Sequence, residues 1–543
     1  MKTCKQCHID FEVAHDDRAF YARMKVPEPT LCPICRDQRR LVWRNERSLY
    51  KRKCNLCKKD HVSIYSSEKE LNVLCQECWW SDKWNGMDYG REFDFTRPFF
   101  EQFGELLKVG GLVSLFGKNN QNSEFVQHET DDKNCYLNAG GHYNEDCYFC
   151  TYSLYGKNNV DCYWIPYSEL CYECIHCDHC YQSIKLRDCV DCANCMFCEE
   201  CTGCEYCFGC FGLKHKKYYF FNEPLEKKEY EKRTAQISGS FENMKRVEAK
   251  ARQHFLKYPH KAVQVINCQN STGDYLRNCK NVQEGYLFET AEEIKYGYIG
   301  FKIKNGMDMS SFGWGEVIYE VASSMELYNT AFCTMMINCH DSFYNFLCSN
   351  SNHMFGCVGL NRKSYCILNK QYSKEEYERM AERMVQHMKS TGEWGEFFPQ
   401  TLSPFAYNET VANNYYPLSR EEVQKKGWNW KEEDPKEFQN QTYTIPDNIH
   451  DVKEAITEAI LSCEVIGKNY RIIPQELAFY KKMNLPIPHR HFETRHMDRL
   501  KVQNPHMLYA RKCAKCQSEI QTTYSPDRPE IIYCESCYLN EVY

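Results

Sequence analysis

Between residues 135 and 210 every cysteine number is a multiple of three, and in "CMFCEECTGCEYCFGC" (195–210) every third residue is a cysteine. A step of three turns about 300° around an α-helix, spreading such a track around the axis, and on a strand it alternates faces. Neither regular element keeps the thiols together. A narrow solenoid whose flat sides take three residues, or a multiple of three, points the whole track at a crowded axis. Elsewhere the frame holds Asn138, Gly141, Asn144, Ser153, Gly156, Asn159, Ser168 and Ser183, with Ile165 and Leu186 as larger exceptions. Such cysteines read as small packed hydrophobes. The competing reading is an iron–sulfur centre or extra zinc, because Cys171, Cys174 and Cys177 have ferredoxin-like spacing, although the C-x3-C-P ending is absent.

The ends carry a different pattern. Cys4-x2-Cys7 is followed by Cys32-x2-Cys35, Cys54-x2-Cys57 by Cys75-x2-Cys78, and Cys513-x2-Cys516 by Cys534-x2-Cys537. Two C-x2-C turns facing one another close a tetrahedral Cys4 site with no position left for water, so three structural zinc ions are expected. A constant shift of 459 lays "FYARMKVPEPTLCPICRDQRRLVWRNERSLYKRKC" (20–54) on residues 479–513, matching Phe20 with Phe479, Arg36 with Arg495, Arg40 with Arg499 and Tyr50 with Tyr509. In the second copy Cys4, Cys7, Cys32 and Cys35 become Cys463, Ile466, His491 and Thr494, so its first site is expected to be lost. The nearby His489, His491 and His496 then read as a polar surface. A second shift, of 147, lays residues 207–230 on 354–377, so the solenoid also reads as duplicated, each copy closed by a charged capping helix.

Candidate partner contacts lie in "RDQRRLVWRNERSLYKRK" (36–53). The copy retains Arg36, Arg40, Arg52 and Lys53 but replaces Arg39, Arg44, Arg47 and Lys51, which makes the latter four the better candidates for a phosphate-bearing or protein partner, with Trp43 and Tyr50 available to stack on a base. A solvated basic face is the plainer reading. The aromatic stretch after Cys78, with Trp79, Trp80, Trp84, Phe93, Phe95, Phe99 and Phe100, reads as a strap packed in the core. Residues 392–435 read as a wrapping connector with a short helix at "SREEVQKKG".

The 543 residues carry a net charge of −6, which argues against wholesale nucleic-acid coating. The chain opens without a signal pattern and holds no run long and apolar enough for a membrane span, so a cytoplasmic location is expected, where 36 cysteines would stay reduced. No P-loop, G-x-G-x-x-G, H-E-x-x-H or G-x-S-x-G motif occurs, and no catalytic residue suggests itself. Whether the chain is an enzyme stays open, leaning to no.

The segments "VPEPTLCPICRDQRR", "LYKRKC", "CWWSDKW", "FGCVGL", "YCILNKQYSKEEY" and "SPFAYNET" together resemble a family of cysteine-rich bacterial zinc-ribbon proteins across nearly the whole chain. That resemblance implies a treble-clef zinc-binding domain at Cys4, Cys7, Cys32 and Cys35. Members sometimes bear a CoA-transferase label, which no residue here supports. The expected fold is α+β, mainly β, with zinc-ribbon or treble-clef modules at both ends of a duplicated cysteine-rich β-solenoid with capping helices. The expected segments are a double zinc module (1–80), an aromatic connector (81–130), solenoid unit 1 (131–223), a helical cap (224–260), solenoid unit 2 (261–370), a helix and wrapping connector (371–459), and the copied module (460–543). The leading functional expectation is a zinc-binding scaffold that meets an RNA or protein partner through its N-terminal ribbon. Alternatives are a redox or metal-handling protein using the central cysteines, and an enzyme with a cleft the sequence does not show.

Overall fold

The computed structural model describes residues 1–432 and 438–542, without the side chains at 311 and 312; positions 433–435 of the expected connector therefore lie outside the described residues. The fold is mixed α/β, built on β-solenoid coils with cysteine clusters that resemble metal-binding knuckles. The chain packs as two compact units assembled from distant segments. One joins Met1–Phe116 to Val263–Glu432 and Pro505–Leu508. The other joins Gly117–Ala262 to Glu433–Asn504 and Tyr509–Tyr543. The N-terminal module thus packs with the later coils, and the C-terminal module with the earlier ones.

In the second of these units the coils advance twelve residues per turn, shown by parallel bridges Tyr136↔Tyr148, Tyr148↔Val160 and Val160↔Tyr172. Each coil has four sides of three residues. The first residue of a side points inward, the second bridges to the neighbouring coils, and the third turns the corner in the left-handed region, as at Phe149 (φ 58°), Asp161 (57°) and Glu173 (50°). That region is uncommon for residues other than glycine. Here it is stabilised because the corner amide binds the preceding coil (Phe149 N to Tyr136 O, 2.9 Å) and the bridging amide the following one (Tyr136 N to Cys147 O, 3.0 Å).

The inward amide has no backbone partner in the ladder and donates instead to the side chain twelve residues earlier. Cys150 N reaches Asn138 Oδ1 at 2.9 Å, Cys180 N reaches Ser168 Oγ at 3.1 Å, and Cys174 N reaches Cys162 Sγ at 3.4 Å. The thiols donate in turn, Cys162 Sγ to Val160 O at 3.3 Å. Cysteine, serine and asparagine each supply a small side chain with an acceptor there, although Ile165 and Leu186 also fit the axis without one. The packed-hydrophobe reading is refined accordingly: the sulfur fills space and also satisfies a buried amide.

The coils end at Asn222, whose side chain pairs with the exposed edge like a peptide group, Oδ1 accepting from Phe211 N and Nδ2 donating to Phe211 O, both at 2.8 Å. Helices Lys227–Ala235 and Phe241–Phe255 follow, burying Tyr230, Met244, Val247, Ala251 and Phe255 against Phe197, Phe208 and Phe211. Leu477, Phe479, Tyr480 and Ile487 of the C-terminal module join the same core. That module docks through Arg495 and Arg499 of the helix Phe492–Lys501, which hold the corner Asp161 at 3.2 and 2.9 Å.

The first unit repeats this plan with different axial chemistry. After an 11-residue coil (Val265↔Leu276) the chain winds in twelves through the extended run Lys280–Thr334. Its axis carries Leu276, Val282, Phe288, Ile294, Ile303 and Met309, interleaved with glycines. A Cβ on Gly300 would lie 2.1 Å from Phe288 Cε1, so the glycine leaves the space the ring fills. Arg36 and Arg40 of the helix Pro33–Leu41 hold the corner Asp308 at 2.8 and 3.4 Å. Asn369 closes this edge as Asn222 closes the other (Val358 N to Oδ1 2.8 Å, Nδ2 to Val358 O 2.7 Å), and the helix Lys374–Thr391 follows behind a Ser373–Glu376 capping box. The aromatic strap is largely core, with Trp79, Phe93 and Phe99 buried and Trp80 exposed. The short helix Arg420–Lys425 is followed by Gly427 in the left-handed region.

Candidate metal centres

The three expected thiol tetrads assemble: Cys4, Cys7, Cys32 and Cys35; Cys54, Cys57, Cys75 and Cys78; and Cys513, Cys516, Cys534 and Cys537, with all sulfurs of each group within 4.8 Å of one another. The first cysteine pair of each lies on a turn closed by the amide of the residue just after the pair, four beyond its first cysteine, in the left-handed region. His8 N reaches Cys4 O at 3.0 Å, Lys58 N reaches Cys54 O at 3.0 Å, and Gln517 N reaches Cys513 O at 3.0 Å. The second pair starts a helix, Cys32 capping Pro33–Leu41 and Cys75 capping Gln76–Trp79, where the helix dipole favours thiolate.

The donor sets fit zinc. Sulfur–sulfur separations are 3.7 Å for Cys7–Cys32 and 3.8 Å for Cys57–Cys75 and Cys516–Cys534, and a tetrahedron of ~2.3 Å zinc–sulfur bonds has edges of about 3.8 Å. The thiols also share too few protons to stay alike. Burial opposes ionisation of Cys54, but the N–H groups of Cys75, Cys57 and Leu56 outweigh it and hold the thiol at about 6, while burial and then its neighbouring thiols push Cys78 to about 12. Ser536 and the Cys537 N–H likewise hold Cys534 at about 6, and Cys534 pushes Cys537 to about 12. A dication resolves that conflict by taking all four as thiolates. The clusters are consistent with three structural zinc sites.

At the fourth equivalent position the turn survives without its ligands. Gly467 N still binds Cys463 O at 2.9 Å, but Ile466 is exposed and Cys463 Sγ faces Thr494 Oγ1 at 3.6 Å. His489, His491 and His496 form no chelating group among the described residues, nor do any three central cysteines.

The residues proposed to meet a partner are placed mostly inside. Trp43 and Arg44 are buried, Arg44 against Glu46 at 2.5 Å, and Arg39 is buried between Glu320 (2.7 Å) and Glu396 (2.8 Å). Tyr50 and Arg47 are half-buried, with Tyr50 bonded to Glu409, and Lys51 is exposed. A guanidinium enclosed by carboxylates cannot supply a phosphate contact, so the six do not make one solvent-facing patch.

Sequence reading missed one group, Glu199, Glu200 and His260, brought together and buried in the unit that holds residues 117–262. Sixty residues separate the glutamates from the histidine, so no spacing announces them. The shift of 147 does carry a signal, because it sets Glu199 and Glu200 opposite the apolar Phe346 and Leu347. No described helix is long and apolar enough to cross a membrane. No protein-family model matches the chain, and no curated protein is similar to it, so the zinc-ribbon family resemblance stands on the residues quoted above alone.

Proposed function

We propose that this chain is a metal-binding protein in which three Cys4 zinc centres hold two treble-clef-type modules in shape against duplicated solenoid coils. The observation that carries it is the set of three tetrads whose sulfur separations match a zinc–thiolate tetrahedron. The central cysteines support the coils in this reading, because each thiol is engaged in axial hydrogen bonds and part of the other set of coils, from Leu276 to Met309, uses a largely apolar axis in the same geometry. Recognition of RNA through the N-terminal ribbon has weak support, since Arg39, Trp43 and Arg44 are enclosed.

The test is elemental analysis of anaerobically purified protein during titration of its thiols with a mercurial reagent. Three zinc ions should be released as the tetrads react, with no visible absorbance before or after. Release of fewer than three, or iron with visible colour, would overturn the assignment. Cys534→Ser should lose one of the three ions and open the last module to proteolysis.

A further inference from the structure

Glu199, Glu200 and His260 each place one ligand atom within 4.8 Å of the other two. His260 is only 1% exposed, yet neither ring nitrogen makes a hydrogen bond, and Glu200 Oε1 has no hydrogen-bond partner either. His260 Nδ1 stands 3.6 Å from Glu200 Oε1 and 3.7 Å from Glu199 Oε1. These separations are too long for hydrogen bonds and near the ~3.4 Å edge of a tetrahedron with metal–nitrogen and metal–oxygen bonds of about 2.1 Å. For Glu200 the outer oxygen is already oriented, Tyr538 donating to Oε2 at 2.6 Å, whereas Arg187 pairs with Glu199 Oε1, the oxygen that faces His260, so Glu199 would share that oxygen between guanidinium and metal or turn its other oxygen inward. Asp188 pairs with Arg187 and lies 3.6 Å from His176, and Glu530 pairs with Arg528. Glu199 and Glu200 thus stand side by side in the interior, next to an imidazole that makes no hydrogen bond.

The other unit shows that the fold does not need this charge. Glu199 N and Glu200 N bind Cys210 O and Arg187 O, and Phe346 N and Leu347 N bind Cys357 O and Thr334 O in the same register. His260 pairs with Ile532 as Leu112 pairs with Val73. Phe346, Leu347 and Leu112 are all buried core residues. One unit completes this position with three apolar side chains, the other with two carboxylates and an imidazole. Uncompensated buried charge is costly, and a bound dication supplies the compensation.

We propose that Glu199, Glu200 and His260 form a fourth, thiol-free centre for a divalent first-row transition metal. Three protein ligands leave coordination positions open, and Glu199 and His260 line a cavity of about 790 Å³ within the same unit, so the open side has room for water or a small ligand. Such openness separates this centre from the closed Cys4 sites.

Cobalt(II) added to the metal-free full chain under anaerobic conditions is the test. Four equivalents are expected, three with the strong near-ultraviolet thiolate absorption and a fourth that adds only weak visible bands. His260→Ala and Glu200→Gln should each bind three with the thiolate absorption unchanged. A triple variant, Glu199→Phe with Glu200→Leu and His260→Leu, imports the apolar solution of the other unit; it should fold by circular dichroism and also bind three. Wild-type protein that saturates at three, or a triple variant that binds as many as wild type, overturns the proposal. Missing thiolate absorption tells against the Cys4 centres and leaves the cobalt held by oxygen and nitrogen to decide the fourth.

Discussion

At Cys162 the sulfur accepts the Cys174 amide at 3.4 Å, and its single S–H is shared between two carbonyls, Val160 O at 3.3 Å and Cys171 O at 3.5 Å. Serine keeps the acceptor and the nearer carbonyl bond, as Ser168 and Ser183 show at equivalent axial positions by accepting from Cys180 N and Cys195 N and donating to Pro166 O and Tyr181 O. Cys162→Ser should therefore change stability by no more than about 1 kcal/mol. Cys162→Val keeps the bulk but strands the Cys174 amide, at a cost of about 1–3 kcal/mol in urea denaturation. Equal effects of the two substitutions would mean that packing alone sets the axis. The periodicity and the smallness of the axial residues were legible in the sequence. The acceptor role was not, because it arises between residues twelve apart once the coil length is set.

Among the elements, the coil edges and the docking helices carry most of the specificity. An edge of unpaired backbone groups invites pairing with another chain, and Asn222 and Asn369 close theirs with two hydrogen bonds each. Asn222→Ala should lose about 1–3 kcal/mol by leaving buried groups unpaired, and size-exclusion chromatography should show more self-association. The helix Pro33–Leu41 is basic in sequence, yet its arginines serve burial: Arg36 and Arg40 close on Asp308 as Arg495 and Arg499 close on Asp161. Asp308→Ala leaves two enclosed guanidiniums without that partner and should cost about 3–5 kcal/mol by chemical denaturation. A change below 1 kcal/mol would show that Glu320 and Asp37 suffice for Arg40. Repetition of Arg36 and Arg40 at Arg495 and Arg499 hinted at a structural role; Arg39 gave no such hint, because Glu320 and Glu396 lie hundreds of residues away.

For the whole molecule, metal and proton compete for the knuckle thiols. Zinc binds them as thiolates, so the unfolded, metal-free chain holds more protons and stability rises with pH. The acid-unfolding midpoint, followed by far-ultraviolet circular dichroism, should move to lower pH as free zinc is raised. Asp161 and Asp308 act in the opposite sense. Burial pushes both above the usual carboxylate range despite their arginines, so their term is fully present below that range and is lost as pH rises through the raised value. An acid midpoint indifferent to zinc would shift the cause of acid lability away from the tetrads. The sequence by itself determined the three thiol tetrads, the loss of a fourth, the three-residue sides and the capping helices, because each rests on local spacing and on chemistry carried by neighbouring residues. Tertiary structure decided the twelve-residue coil, the packing of each terminal module with the sequence-distant coils, the burial of Arg39 and Arg44, and the meeting of Glu199 and Glu200 with His260. These depend on which surfaces pack across long separations, where a charge is enclosed or exposed by residues that no local pattern identifies.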